Sequence, residues 1–126
     1  MSAPVVLCVD DEPRILSALR RSLRREGYEL LFADSPAAAL EVFADRRVDV
    51  LLTDHKMRGA TGIDLIREVA ARFPATSRIL ITGWTGELDA AELARLEVRA
   101  VITKPWDDGD LKSHIRGCLP AGGLGG

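Results

Sequence analysis

A doubly wound α/β fold, a five-stranded parallel sheet with helices on both faces, is what this sequence predicts, and three observations predict it. Five short runs rich in Val, Ile and Leu alternate strictly with segments of helical period. The runs are apolar nearly throughout rather than at every second residue, as strands covered on both faces are. A length of 126 residues with 47% hydrophobic and 29% charged side chains suits one domain with one continuous sheet.

Each element can be justified in order. PVVLCV (4–9) reads as the first strand. PRILSALRRSLRREG (13–27) puts Ile15, Leu16, Leu19 and Leu23 on one stripe, opens on Pro13 and stops at Gly27, so it carries the start, period and stop signals of a helix. YELLFA (28–33) is the second strand, and Ser35 before Pro36 caps a second helix with Leu40 and Phe43 inward. VDVLLT (48–53) is the third strand. A third helix with Leu65, Ile66, Val69 and Phe73 inward ends before Pro74. RILIT (78–82) and RAVIT (99–103) are strands four and five, separated by a short helix in GELDAAELARLEV (86–98). DDGDLKSHIRGCL (107–119) closes the fold with a fifth helix through Leu111, Ile115 and Leu119. Residues 1–119 are thus the expected domain, and PAGGLGG (120–126) is a flexible Gly-rich tail or the start of a linker.

Parallel strands joined by right-handed crossovers all end on one edge of the sheet, where such folds bind their ligands. The residues directly behind each apolar run therefore decide the chemistry. Asp10, Asp11 and Glu12 come after the first strand, Asp54 after the third, Thr82 and Gly83 close the fourth, and Thr103, Lys104 and Pro105 the fifth. The second strand adds nothing comparable, which suits an edge strand in the order 2-1-3-4-5 with the site at the switch point between strands one and three. Carboxylates crowded this way repel one another unless a cation lies among them. A hard cation with oxygen ligands, Mg²⁺, matches that donor set. Asp10 and Asp11 can hold the metal, which leaves Asp54 opposite them as a candidate nucleophile, while Lys104 and the Thr82 hydroxyl can bind phosphoryl oxygens. The competing reading, Asp10 and Asp54 as turn or helix caps, explains single aspartates but not a rim of charged and hydroxyl groups.

Composition narrows the function further. A formal charge of -2 argues against a general nucleic-acid or anionic-membrane binder. No apolar run approaches the ~20 residues of a bilayer span, and MSAP lacks a signal-peptide pattern, so a cytoplasmic protein is expected. Cys8 and Cys118 read as buried or incidental thiols. His114 reads as a surface or packing residue, and His55 takes its meaning from its neighbour Asp54. Arg20, Arg21, Arg24 and Arg25 read as the solvated face of the first helix, Met57 as a packing residue, and Trp84 and Trp106 as core covers or a partner surface.

VDDEP, LLTDHKMRGATG, ILITGW and VITKPW, each at a strand end and in this order, together resemble the receiver domain of two-component response regulators over Pro4 to Cys118. That resemblance, to a flavodoxin-like fold of the chemotaxis-regulator superfamily, implies a module with Asp54 as phosphoacceptor. It further implies Asp10 and Asp11 as the acidic pair, Thr82 as switch hydroxyl, Lys104 as the lysine that pairs with the phosphoryl group, and a metal contact from the Lys56 main-chain carbonyl. A cis peptide before Pro105 is implied as well. By the same resemblance the domain takes its phosphoryl group from a histidine kinase or phosphotransfer protein and signals to a downstream effector domain or protein. It catalyses only its own phosphorylation and dephosphorylation. It binds no nucleic acid or membrane directly, and a phosphorylation-dependent dimer is among its possible partners. Three departures from the family pattern stand out: Arg58 where proline is usual after Met57, Val101 where an aromatic residue is common, and a short segment after Trp84. Val101 is too stiff and short for an aromatic swing, which points the relay toward residues 83–87 and the fourth helix. The alternative is a pseudo-receiver, a phosphorylation-independent interaction module of the same fold. An aspartyl-phosphate phosphatase or mutase lacks its Asp-x-Asp here, and flavin mononucleotide binding lacks a phosphate cradle after the first strand.

Overall fold

Alternation along fully buried strands divides this protein into two cores. The computed structural model describes residues 3–83, 86 and 88–119. In chain order the elements are β1 (Val5–Val9), α1 (Pro13–Leu23), β2 (Glu29–Ala33), α2 (Pro36–Asp45), β3 (Val50–Asp54), β4 (Lys56–Met57), β5 (Ala60–Thr61), α3 (Gly62–Arg72), β6 (Ser77–Thr82), α4 (Ala90–Arg95), β7 (Val98–Thr103) and α5 (Asp108–Gly117). One parallel sheet runs β2-β1-β3-β6-β7, which is the expected 2-1-3-4-5 order once the two-residue strands β4 and β5 are set aside. Val5, Leu7, Val9, Leu51 and Leu80 face α2 and α3 on one side, with α4 at its margin. Val6, Cys8, Val50, Leu52, Ile79 and Ile81 face α1 and α5 on the other.

Local chemistry explains the helix starts. Pro13 and Pro36 occupy the first turns of α1 and α2, and the Ser35, Thr61, Asp89 and Asp107 side chains accept N–H bonds that open α2, α3, α4 and α5. α1 ends at Leu23, four residues before the expected Gly27. Leu23 is the last buried residue of its stripe, and Arg25 (φ 71°) and Gly27 (φ 92°) take left-handed conformations that turn the chain into β2. α4 has six residues and none of them is buried, in keeping with the short helix expected there. The Arg78 side chain, buried at the start of β6, donates to the carbonyls of Thr76, Pro74 and Leu96 and so ties the end of α4 to the sheet.

Several single-residue expectations hold. Cys8 is buried, Cys118 is partly so, and both are free. Arg20, Arg21, Arg24 and Arg25 are exposed, as is His114, and Met57 packs in the α2/α3 core. Trp106 covers the α1/α5 core, and its Nε1–H donates to Ser22 Oγ and Asp108 Oδ1. Trp84 and the tail 120–126 lie outside the described residues. No helix among the described residues is long and apolar enough to cross a membrane.

Candidate functional site

The carboxyl edge of the sheet carries the site, and β3 reaches it one residue later than the run of apolar residues suggests. Val48 is buried ahead of the ladder. Asp49 exchanges bonds with Val5, its N–H donating to the Val5 carbonyl and its Oδ2 accepting the Val5 N–H. Pairing therefore begins at Val50, and Asp54 is the last residue of the strand rather than the first beyond it. Asp54 sits opposite Ile81, so Thr82, buried at the end of β6, stands one residue further along the neighbouring strand.

A short hairpin, β4 paired with β5, comes directly after Asp54 and was not expected. Gly59 (φ 71°) makes its turn, a conformation that other residues adopt only at a cost. The Gly62 N–H closes the base on the His55 carbonyl at 2.6 Å. A Cβ on Gly62 would overlap the Asp54 carbonyl oxygen, so α3 can begin against the end of β3 only with glycine there. Lys56 opens the hairpin as an exposed residue two positions past Asp54.

Charge on this edge is concentrated and organised. One ligand oxygen from each of Asp10, Asp11 and Asp54 lies within 4.8 Å of the others. Lys104 Nζ stands 3.0 Å from Asp10 Oδ2 and 3.0 Å from Asp54 Oδ1, bridging the two. Asp10 is only 2% exposed, and its other oxygen, Oδ1, accepts the Glu12 N–H at 2.9 Å. The capping role weighed for Asp10 is thus real, and it occupies one oxygen while the other faces the lysine. Asp11, more open, accepts the Arg58 N–H at 2.9 Å. The Lys104–Pro105 peptide is cis, as expected.

Burial pushes the Asp54 carboxyl above its ordinary range. The Lys104 hydrogen bond works against that shift and the charge of Asp10 adds to it. A carboxylate so placed is a more basic anion, which suits a nucleophile. For Lys104, burial opposes the charge, but the bonds to Asp10 and Asp54 outweigh it and hold the ammonium above its usual value. The predicted residues Asp10, Asp11, Asp54 and Lys104 therefore meet in one cluster with Thr82 at its border. Sequence reasoning missed the Arg58 N–H, because a backbone donor leaves no residue signature. It also missed the contact of Gly62, although a glycine between an N-cap threonine and an apolar helix is a visible signal.

Comparison with known proteins bears directly on this arrangement. The profile described as the response regulator receiver domain matches residues 6–116. The chain belongs to that family. This receiver is 37% identical over 122 residues to the hydrogenase transcriptional regulatory protein HoxA of Cupriavidus necator, with 96% of this chain and 25% of HoxA covered. Its fold is similar to the signal receiver domain of an HD domain-containing protein from Pseudomonas fluorescens (TM-score 0.83, 31% identity, 93% and 94% of the two chains covered). Response regulator TrrA of Thermotoga maritima, solved in complex with Mg²⁺-BeF, is also similar (TM-score 0.82, 27% identity, 92% and 99% covered). The receiver spans between 23% and 52% of the length of the first curated relatives it matches. None of these likenesses lends support to the pseudo-receiver alternative.

Proposed function

We propose that this receiver takes a phosphoryl group onto Asp54 from a phosphohistidine of a kinase or phosphotransfer protein, in a Mg²⁺-dependent reaction. The observation that carries the proposal is the Lys104 bridge, which sets an ammonium 3.0 Å from both Asp54 and Asp10. Lys104 holds Oδ1 of Asp54, which leaves Oδ2 to attack phosphorus. The new P–O bond forms as the P–N bond of the donor breaks, and the donor imidazole leaves. Lys104, already charged, then pairs with the phosphoryl oxygens, and the Thr82 hydroxyl donates to another. Three carboxylates within 4.8 Å form an all-oxygen donor set that fits a hard divalent cation. Asp10, Asp11, Asp54 and the Lys56 carbonyl would hold it, and when bound it supplies positive charge against the phosphoryl oxygens.

On this reading the protein is a signalling domain that catalyses only its own phosphorylation and dephosphorylation. It is cytoplasmic, with residues 1–119 as the receiver and 120–126 as tail or linker. Its output passes to an effector domain or protein, by a phosphorylation-dependent dimer or a change of partner, and the domain itself contacts no nucleic acid. Incubation with acetyl phosphate and Mg²⁺ followed by intact-mass measurement tests the proposal. Gain of one phosphoryl group by wild type and none by Asp54→Asn is expected, whereas no gain in wild type favours a phosphorylation-independent module.

A further inference from the structure

We propose that Arg58 is a positioning residue that sets how tightly the acidic edge takes a divalent cation, through two contributions of opposite sign. Its backbone N–H fixes the Asp11 carboxylate, and its guanidinium competes for the same negative charge. The proposal rests on the reading of Asp10, Asp11 and Asp54 as a cation site.

All three carboxylates are tied down, but the ties differ. Asp10 is held by Glu12 from its own segment and by Lys104, and Asp54 by Lys104. Asp11 is held across 47 positions of sequence, by the N–H of Arg58 at 2.9 Å. That donor is itself rigidly placed. It lies in the two-residue turn between Met57 and Ala60, with Met57 buried in the core below and Gly62 bonded to the His55 carbonyl at the base. A fixed donor on one carboxylate oxygen lowers the conformational cost of presenting the other oxygen to a cation.

The Arg58 side chain acts differently. It is 93% exposed, and its Nε stands 3.9 Å from the same Asp11 oxygen that the N–H engages. A positive charge there offsets the negative potential that draws a cation in, and so close to solvent its effect is screened by salt. The two contributions are chemically separable. Any replacement removes the guanidinium, and only proline removes the N–H.

The test is calorimetric titration of Mg²⁺ into the whole chain as wild type, Arg58→Ala and Arg58→Pro, repeated with Asp11→Asn. Arg58→Ala should bind Mg²⁺ about 2–5-fold more tightly than wild type at low salt, with the gain shrinking at high salt. Arg58→Pro should bind about 3–10-fold more weakly than Arg58→Ala. Asp11→Asn, which removes a cation ligand, should weaken Mg²⁺ uptake in all three proteins. Because proline can unfold the turn, the Arg58 amide proton of wild type gives a second readout. Its exchange should quicken, and its resonance should shift, in Asp11→Ala. Mg²⁺ uptake that depends on Asp11 but is equal in wild type, Arg58→Ala and Arg58→Pro overturns the proposal alone, as does an Arg58 amide indifferent to Asp11→Ala. Wild type that takes up no Mg²⁺ overturns the cation site, and this proposal with it.

Discussion

Asp54 is held between a lysine that favours its charge and a buried, acidic surrounding that does not, and the second influence prevails. Its pKa is raised in the folded chain, so the fold binds this proton more tightly than the unfolded chain does. The stability that protonation supplies is fully present below the unfolded value of about 3.9 and is lost as pH rises through the folded pKa. Asp54→Asn removes the cost of ionisation while keeping shape. In metal-free buffer the mutant should therefore be at least as stable as wild type at neutral pH, with its advantage shrinking on acidification toward pH ~4. Urea melts of both proteins across that range check this, and an advantage that does not change with pH would contradict it. The principal site residues were legible because aspartates and a lysine directly behind apolar runs are costly anywhere except a ligand edge. The N–H that holds Asp11 was not legible, since the sequence names side chains and this bond is made by backbone.

The hairpin and the start of α3 determine where Asp54 sits. Gly62 lies against the Asp54 carbonyl so closely that an added Cβ must push the strand end or the helix aside. Gly62→Ala should cost about 1–3 kcal/mol of stability, as overpacking does. It should also slow phosphorylation of Asp54 more than an exposed control such as Arg72→Ala, because the nucleophile moves with its backbone. Denaturant melts and the initial rate of phosphoryl gain measure the two effects, and a stable mutant that is phosphorylated at the wild-type rate would contradict this role. Helices and strands were legible at this scale from period and capping residues. Two boundaries were not. The apolar run at 48–53 hid the offset of β3, because Val48 is buried without being paired. The stop of α1 at Leu23 results from the turn needed to enter β2, which the Arg24–Glu26 stretch does not advertise.

Over the whole molecule, the strict alternation of strand and helix left one economical topology, and the sheet order and the two helical faces result from it. The site is the product of that topology: residues 10, 54, 82 and 104 are brought together only because every strand ends on the same edge. A cation bound there stabilises the fold without entering the unfolded chain, so Mg²⁺ at tenfold excess over its Kd should add about 1.4 kcal/mol. Asp11→Ala should abolish the accompanying rise in Tm, and a rise that survives the substitution would remove Asp11 from the cation site. The most direct measurement is chemical mapping of the phosphoryl group. After treatment with acetyl phosphate and Mg²⁺, hydroxylamine converts an acyl phosphate into a hydroxamate that stays on the residue, and tryptic peptides are then read by mass. The hydroxamate should appear on the peptide 48–56, VDVLLTDHK, at Asp54 and not at Asp49, and should be missing without Mg²⁺. A hydroxamate at any other carboxylate, or none under conditions where the protein is folded and Mg²⁺ is bound, would contradict the account.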